Sequence, residues 1–287
     1  MVWICPICQL GLEKNQHSWS CDNQHSFDQA KEGYVNLLPA HQKRSKNPGD
    51  NLEMVLGRRA IHEAQLYQPL AEALANVVAG CKHISTLLDI GSGEGYYGGF
   101  IARSAPGIAI YGIDIAKSSV KLAAKTYPDQ KFAVSGARHL PVATSSVDLA
   151  MCIFSPSTDN EVARVLTQGG HYLEVGPAPR HLWQLKTALY DQPREHSELR
   201  RSFEGSALTQ DGEVCYDKRL NNTQLQALVA ATPLAFRGHR EKKAKLREQA
   251  ALTVTMRVKK TTIWCVLSQG LAWSRPQRRS MIFQERF

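Results

Sequence analysis

Residues 87–100 read LLDIGSGEGYYGGF, and the fold turns on how they are read. An apolar run closes on Asp89, glycines follow at 91, 93 and 95, and a helix-compatible stretch comes next. That order describes a strand ending in a glycine turn that leads into a helix. Such a turn places backbone N–H groups beside a bound anion or polar ligand. The dinucleotide fingerprint needs glycines at its first, third and sixth positions, but the sixth here is Tyr96, whose ring would obstruct a pyrophosphate. Working outward, further apolar runs are TLLDI (86–90), IAIYGI (108–113), KFAVS (131–135), VDLAMCIF (147–154) and HYLEV (171–175). They recur at spacings of about 20 residues with amphipathic stretches between, the signature of βαβ units. The expectation is an α/β fold with a Rossmann-like parallel sheet. LTVTMRVKK (252–260) alternates apolar and polar residues, as a terminal antiparallel strand would. Residues 176–232 fit the alternation less well and read as an inserted, substrate-facing region.

Upstream of the loop, Asp50-Asn-Leu-Glu53 has the form of a capping box opening a helix with Leu52, Val55, Leu56 and Ala60 on one stripe. A second helix follows Tyr67, with Leu70, Leu74, Val77 and Val78 on one face. Before both lies a linker-like stretch, YVNLLPAHQKRSKNPG (34–49), carrying Lys43, Arg44 and Lys46. The first 33 residues contain Cys5-Pro-Ile-Cys8, then Cys21 and, after three residues, His25. Two pairs of soft ligands on two turns suit a tetrahedral zinc site, with His17 competing for the fourth place. A head this small cannot fold on apolar burial alone, so metal would supply the missing energy. Trp3, Trp19 and Phe27 are available to pack around it. The resulting partition is a zinc-binding head (1–33), a basic linker and helix (34–66) and a catalytic domain (67–287) with an atypical last fifty or so residues.

The chain has 287 residues and a formal charge of +9, from 35 Lys and Arg against 26 Asp and Glu. Much of the basic excess gathers after residue 236 and favours a polyanionic partner, since phosphate contacts release counterions. No apolar run is long enough to span a membrane, and the N-terminus lacks the basic start and apolar stretch of a secretory signal. Seven unevenly placed cysteines without an export signal point to a reducing compartment, the cytoplasm. Cys81, Cys152, Cys215 and Cys265 are scattered and read as packing residues.

The pattern around Gly91, Gly93 and Gly95 resembles motif I of the S-adenosylmethionine (SAM)-dependent methyltransferases, whose loop wraps the amino acid and ribose of the cofactor. Asp114, in YGIDIA, stands where the second strand's acid accepts bonds from ribose hydroxyls. More specifically, CDNQHSFDQAKEGYVNLLPAHQKRSKNPGD (21–50), LYQPL (66–70), LDIGSGEGYY (88–97), IDIAK (113–117), HLP (139–141) and PRHL (179–182) resemble the bacterial 23S rRNA (guanine-N1)-methyltransferases. The resemblance runs from the first cysteine to about Arg237, some four-fifths of the chain. It departs at Ser92, where the family usually has cysteine, and after residue 238 it is loose and extends past the usual end.

The resemblance implies methylation of guanine N1 in a 23S rRNA hairpin, with SAM and zinc as cofactors. The zinc ligands it implies are Cys5, Cys8, Cys21 and His25. Tyr67, Gly93, Glu94 and His181 are the cofactor contacts it carries over, and motif mechanics add Gly91 and Asp114. No catalytic residue is assigned, although Asp159, Glu94 and His181 are conceivable acceptors of the N1 proton. Lys43, Arg44, Lys46, Arg58 and Arg59 are expected on RNA phosphates beside the zinc head, and the family's fold permits a homodimer. The competing readings are a small-molecule SAM-dependent methyltransferase and a non-catalytic RNA-binding protein on the same fold.

Overall fold

The computed structural model describes residues 2–43, 45, 48–81, 83–197, 206–234 and 239–265. The N-terminal part holds a three-stranded antiparallel sheet of β1 (Glu13–Lys14), β2 (Ser18–Ser20) and β3 (Ser26–Asp28). The chain then adds β4 (Val35–Asn36) to the edge of a second sheet and forms α1 (Leu52–Glu63) and α2 (Gln68–Gly80). Regular alternation begins with β5 (Thr86–Ile90), α3 (Tyr96–Ser104), β6 (Ala109–Asp114), α4 (Lys117–Thr126) and β7 (Lys131–Val134). It continues through β8 (Val147–Ile153), α5 (Asp159–Val165), β9 (Leu166–Pro177) and α6 (Trp183–Leu189). β10 (Ser206–Asn221), α7 (Asn222–Ala230), α8 (Arg240–Glu248) and β11 (Ala251–Cys265) complete the described elements.

The second sheet has eight strands in the order β10-β11-β9-β8-β5-β6-β7-β4. From β4 to β9 neighbours pair in parallel, whereas β11 runs antiparallel to both β9 and β10. The expected α/β sheet is present, each apolar run supplies a strand to within one residue at its ends, and LTVTMRVKK falls inside the antiparallel β11. Residues 176–232, expected as an insertion, instead supply α6, the long edge strand β10 and α7. The period-2 rule explains the layering, because alternate residues of the buried strands face opposite sides. Leu87, Leu149, Met151 and Ile153 pack with α2, α6 and α7, while Leu88, Ile90, Ala150 and Cys152 face the other way.

That other face is covered by the head together with Val162 and Val165 of α5. Trp3, Cys5, Leu12 and Cys21 share one buried cluster with Leu88, Ile90 and Tyr111, and Trp19 and Phe27 pack against it. Trp3 meets Tyr111 edge-on with ring centroids 5.2 Å apart and bridges to Val142 in antiparallel fashion. The crossover from β7 to β8 (135–146) carries no helix, and the head lies where a doubly wound fold would place one. The first residues of the linker-like stretch are also structural, since Tyr34, Val35, Leu37 and Leu38 are buried. Arg44 and Lys46 of that stretch lie outside the described residues, as does the chain after Cys265.

The start of α1 differs by one residue from the capping box expected at Asp50. Asn51 is the cap, its side-chain oxygen accepting the Met54 N–H at 2.9 Å, and Asp50 pairs with Arg58 instead. Both side chains are good caps by type, and the nearby guanidinium decides between them. α2 begins after Tyr67 as expected, with Pro69 in its first turn. Among the described residues no helix is long and apolar enough to cross a membrane.

Candidate active site and metal centre

The donor atoms of Cys5, Cys8, Cys21 and His25 all lie within 4.8 Å of one another. The His25 Nδ1 is 3.5 Å from the sulfurs of Cys5 and Cys21, and the Cys8 and Cys21 sulfurs are 3.6 Å apart. Zinc–sulfur and zinc–nitrogen bonds of about 2.3 and 2.0 Å give tetrahedral edges of roughly 3.5–3.8 Å. Those three contacts therefore have the lengths of tetrahedral edges, and the donor set fits zinc. The turns do the positioning: the Gln9 N–H donates to Cys5 O and the Gln24 N–H to Cys21 O, both at 2.8 Å. Burial pushes the Cys5 thiol above its ordinary pKa. The Leu10 backbone N–H is the chief cause holding the Cys8 thiol down at about 6, which favours the thiolate that metal binding requires. His17, the competing ligand, is not in the cluster; its carbonyl instead accepts from the Gln29 N–H.

The second site lies at the carboxyl ends of β5, β6, β8 and β9. Parallel register puts Ile90, Ile113 and Cys152 at one level, so the segments after them converge. Gly91, Gly93 and Gly95 have φ of 77°, 55° and 83°, the left-handed region that a side chain disfavours. A Cβ at Gly91 would stand 1.9 Å from Ser155 Oγ, while one at Gly93 would meet open space. Gly91 is thus bare because β8's exit crowds it, and Gly93 because its backbone turns beneath a crevice. The N–H groups of Gly91 and Ser92 both donate to Ile113 O, tying the loop to β6.

Asp114 stands at the tip of β6. Its Oδ2 accepts the Gly93 N–H at 2.9 Å and its Oδ1 accepts the Ala116 N–H at 2.7 Å. Burial raises its pKa, and those two N–H donors work against the rise. Asp89, deeper in the strand, is pushed up to about 8 by burial first and the neighbouring Asp114 second. One acid at the crevice is therefore held by donors suited to a carboxylate, and the other is kept as the neutral acid.

Glu94 faces His62 of α1, with Oε1 2.8 Å from Nδ1. The His62 ring stacks on Tyr96 with centroids 4.1 Å apart and meets Tyr67 and Tyr97 edge-on. Tyr67 is buried, which raises its hydroxyl pKa well above the usual value. Phe154 follows β8, with its ring 5.8 Å from both Tyr67 and His181. His181 is buried, and its Nδ1 lies 3.0 Å from Arg257 O and 3.2 Å from Arg257 N. Burial is the main reason its pKa falls to about 3, with His196 adding to the effect, so the ring is neutral at physiological pH. Asp159, the remaining conceivable proton acceptor, is the first residue of α5.

Tyr67, Gly91, Gly93, Glu94, Asp114 and His181 thus come from four separate segments to one end of the sheet. His62 and Phe154 were not anticipated. A histidine inside an amphipathic helix carries no ligand signal, and Phe154 read only as the end of a strand. The basic group is changed as well. Arg58 pairs with Asp50 and donates to Ala231 O, and Arg59 pairs with Glu63, so both are engaged within the protein.

Comparison with known proteins agrees with this two-site architecture. Residues 3–46 match the family model described as RlmA, N-terminal, a zinc ribbon, and residues 87–170 match a methyltransferase domain model. A 23S rRNA (guanine(748)-N(1))-methyltransferase of Streptomyces fradiae is 32% identical over 201 residues, 68% of this chain and 71% of the relative. A Bacillus subtilis (strain 168) relative, YxjB, provisionally named a 23S rRNA (guanine-N(1)-)-methyltransferase, is 29% identical over 88% of this chain and 94% of its own. Among solved structures, the YcgJ protein of Bacillus subtilis covers 69% of this chain and 99% of its own at 16% identity, with a TM-score of 0.46. With a Cys3His ribbon packed on a SAM-type sheet and a relative matched across most of both lengths, this chain belongs to the RlmA family of 23S rRNA (guanine-N1)-methyltransferases.

Proposed function

We infer that this protein transfers the methyl group of SAM to N1 of a guanine in a 23S rRNA hairpin. The observation that carries the reading is the Asp114 carboxylate fixed by Gly93 and Ala116 beside three left-handed glycines, on a chain of this family. Asp114 would accept the ribose hydroxyls, Gly93 would allow close backbone approach, Gly91 would let the loop turn against Ser155 at the cofactor's edge, and Tyr67, Glu94 and His181 would bound the amino acid end. Bound SAM supplies a methyl on a positively charged sulfur, open to direct displacement by a nitrogen lone pair. The protein's task is then chiefly to hold N1 in line with that methyl, the kind of positioning that supplies much of an enzyme's rate enhancement. The N1 proton leaves as the N–C bond forms. Neutral His181, the His62-paired Glu94 and Asp159 at the start of α5 are the candidate acceptors of that proton.

Cys5, Cys8, Cys21 and His25 would hold zinc, whose role is to cross-link the head's two turns. Lys43, Arg44 and Lys46 would contact phosphate, with Arg58 and Arg59 left to intramolecular pairs. The division into a head (1–33), a basic linker and helix (34–66) and a methyltransferase domain (67–287) stands as part of this reading, as do a cytoplasmic setting and a homodimer on the hairpin. Labelling unmodified 23S rRNA with tritiated SAM and mapping the product tests it. Label at N1 of one guanine is expected. Label on a small metabolite, or none on RNA, would overturn the reading.

A further inference from the structure

Phe154 is the large apolar residue left open beside the glycine loop, with 40% of its surface exposed while Leu149–Ile153 before it are buried. It has φ of 51°, a conformation a bulky residue holds only when its surroundings impose it. The surroundings do so on both sides. The Phe154 N–H donates to Val175 O at 2.9 Å, the Cys152 thiol donates to Ser155 O at 2.9 Å, and the Ser157 and Tyr172 hydroxyls bond at 2.8 Å. The exposed ring therefore stands on an anchored turn, flanked by Tyr67 and His181.

Sheet order says what the ring faces. β5 lies between β6 and β8, so Asp114 marks one side of the glycine loop and Phe154 the other. A donor with its ribose at Asp114 would reach across the loop towards β8, and in-line displacement would require the acceptor on the far side of its methyl. Ser155, the next residue, already crowds Gly91. We propose that Phe154 is the stacking surface for the unpaired target guanine, an assignment that rests on the methyl-transfer reading above. A base drawn out of its stack needs a replacement π-face, and an aromatic ring on a rigid turn provides one.

The test uses the zinc-loaded full chain and an unmodified 23S rRNA hairpin. Phe154→Leu keeps apolar bulk and removes the ring, Phe154→Trp keeps a ring, and Phe154→Gly relaxes the left-handed backbone in case Leu disturbs it. Leu and Gly should lose about 5- to 150-fold in kcat/KM for RNA, the range of one base–aromatic stack. Trp should stay near wild type, and SAM affinity by calorimetry should be unchanged in all three. A hairpin carrying 2-aminopurine at the target position gives a readout independent of turnover, quenched by stacking in wild type and bright with Leu. Wild-type kcat/KM and quenching in the Leu variant would overturn the assignment, as would a parallel loss of SAM affinity, which would make Phe154 a cofactor wall. If wild type leaves rRNA unmethylated but Phe154 still quenches 2-aminopurine, the functional reading fails and the base-binding surface survives.

Discussion

The metal-ligating head and the cofactor crevice position their groups by opposite means. In the head, four donors sit on two turns, one ahead of a small sheet and one between its last two strands, and strands of two or three residues alone supply little support. In the crevice, the loops hang from the ends of strands buried on both faces, and backbone hydrogen bonds fix Asp114 before any ligand arrives. The head depends on its ligand for shape; the crevice depends on its sheet. The two are nonetheless packed together through Trp3 and Tyr111, so the contrast has measurable edges.

The largest effect should come from the metal. Structural zinc contributes on the order of 10 kcal/mol or more in small domains. Chelation, or Cys21→Ser, should strip hydrogen-exchange protection from residues 2–28 while β5 and β6 stay protected. Persistent protection of the head after metal removal would break the comparison. Next comes Asp114→Asn, which removes the charge and sets an amide NH2 against one of the two backbone N–H groups that the carboxylate accepts. A hydrogen bond to a charged group contributes about 1.5–3 kcal/mol, so SAM affinity should fall roughly 10- to 150-fold by calorimetry. The zinc content should not change, and unaltered SAM affinity would remove Asp114 from the site.

An effect of similar size is set by pH. The His181 pKa is about 3 when folded against an ordinary 6.5, so between those values the unfolded chain binds one more proton. Stability from this group is full above the unfolded value and is lost as pH falls, at about 1.4 kcal/mol per pH unit. His181→Phe should flatten the slope of urea-unfolding free energy between about pH 6 and pH 4. An unchanged slope would show that other groups dominate. Smallest is Asn51→Ala, which removes the cap of the helix bringing His62 to Glu94 and should cost about 1 kcal/mol in denaturant unfolding. It should leave metal binding alone. Any loss of SAM affinity should be well short of that for Asp114→Asn.

What the sequence discloses follows from the range of the interaction. Gly91, Gly93 and Gly95 are legible because each answers to its own backbone, and β5 to β9 because burial on both faces leaves continuous apolar runs. Cys5 and Cys8 are legible because two thiols on one turn have a chemistry of their own. Asn51 displaces Asp50 because of Arg58, a partner about two helical turns further along the chain. The His62–Glu94 pair spans 32 positions, and the pairing of Trp3 with Tyr111 spans more than a hundred; neither leaves a periodic trace. Phe154 runs against local preference, since an aromatic residue at a strand's end predicts continued extension rather than a left-handed turn.

The seating of Trp3 against Val142 has a consequence for the order of synthesis. The cysteine turns leave the ribosome ahead of the strands they will cover, by roughly three to twenty-five seconds at ordinary translation rates. During that interval the nascent head has no sheet to lie on, and captured zinc is what can keep its ring-bearing face organised until the rest of the chain arrives.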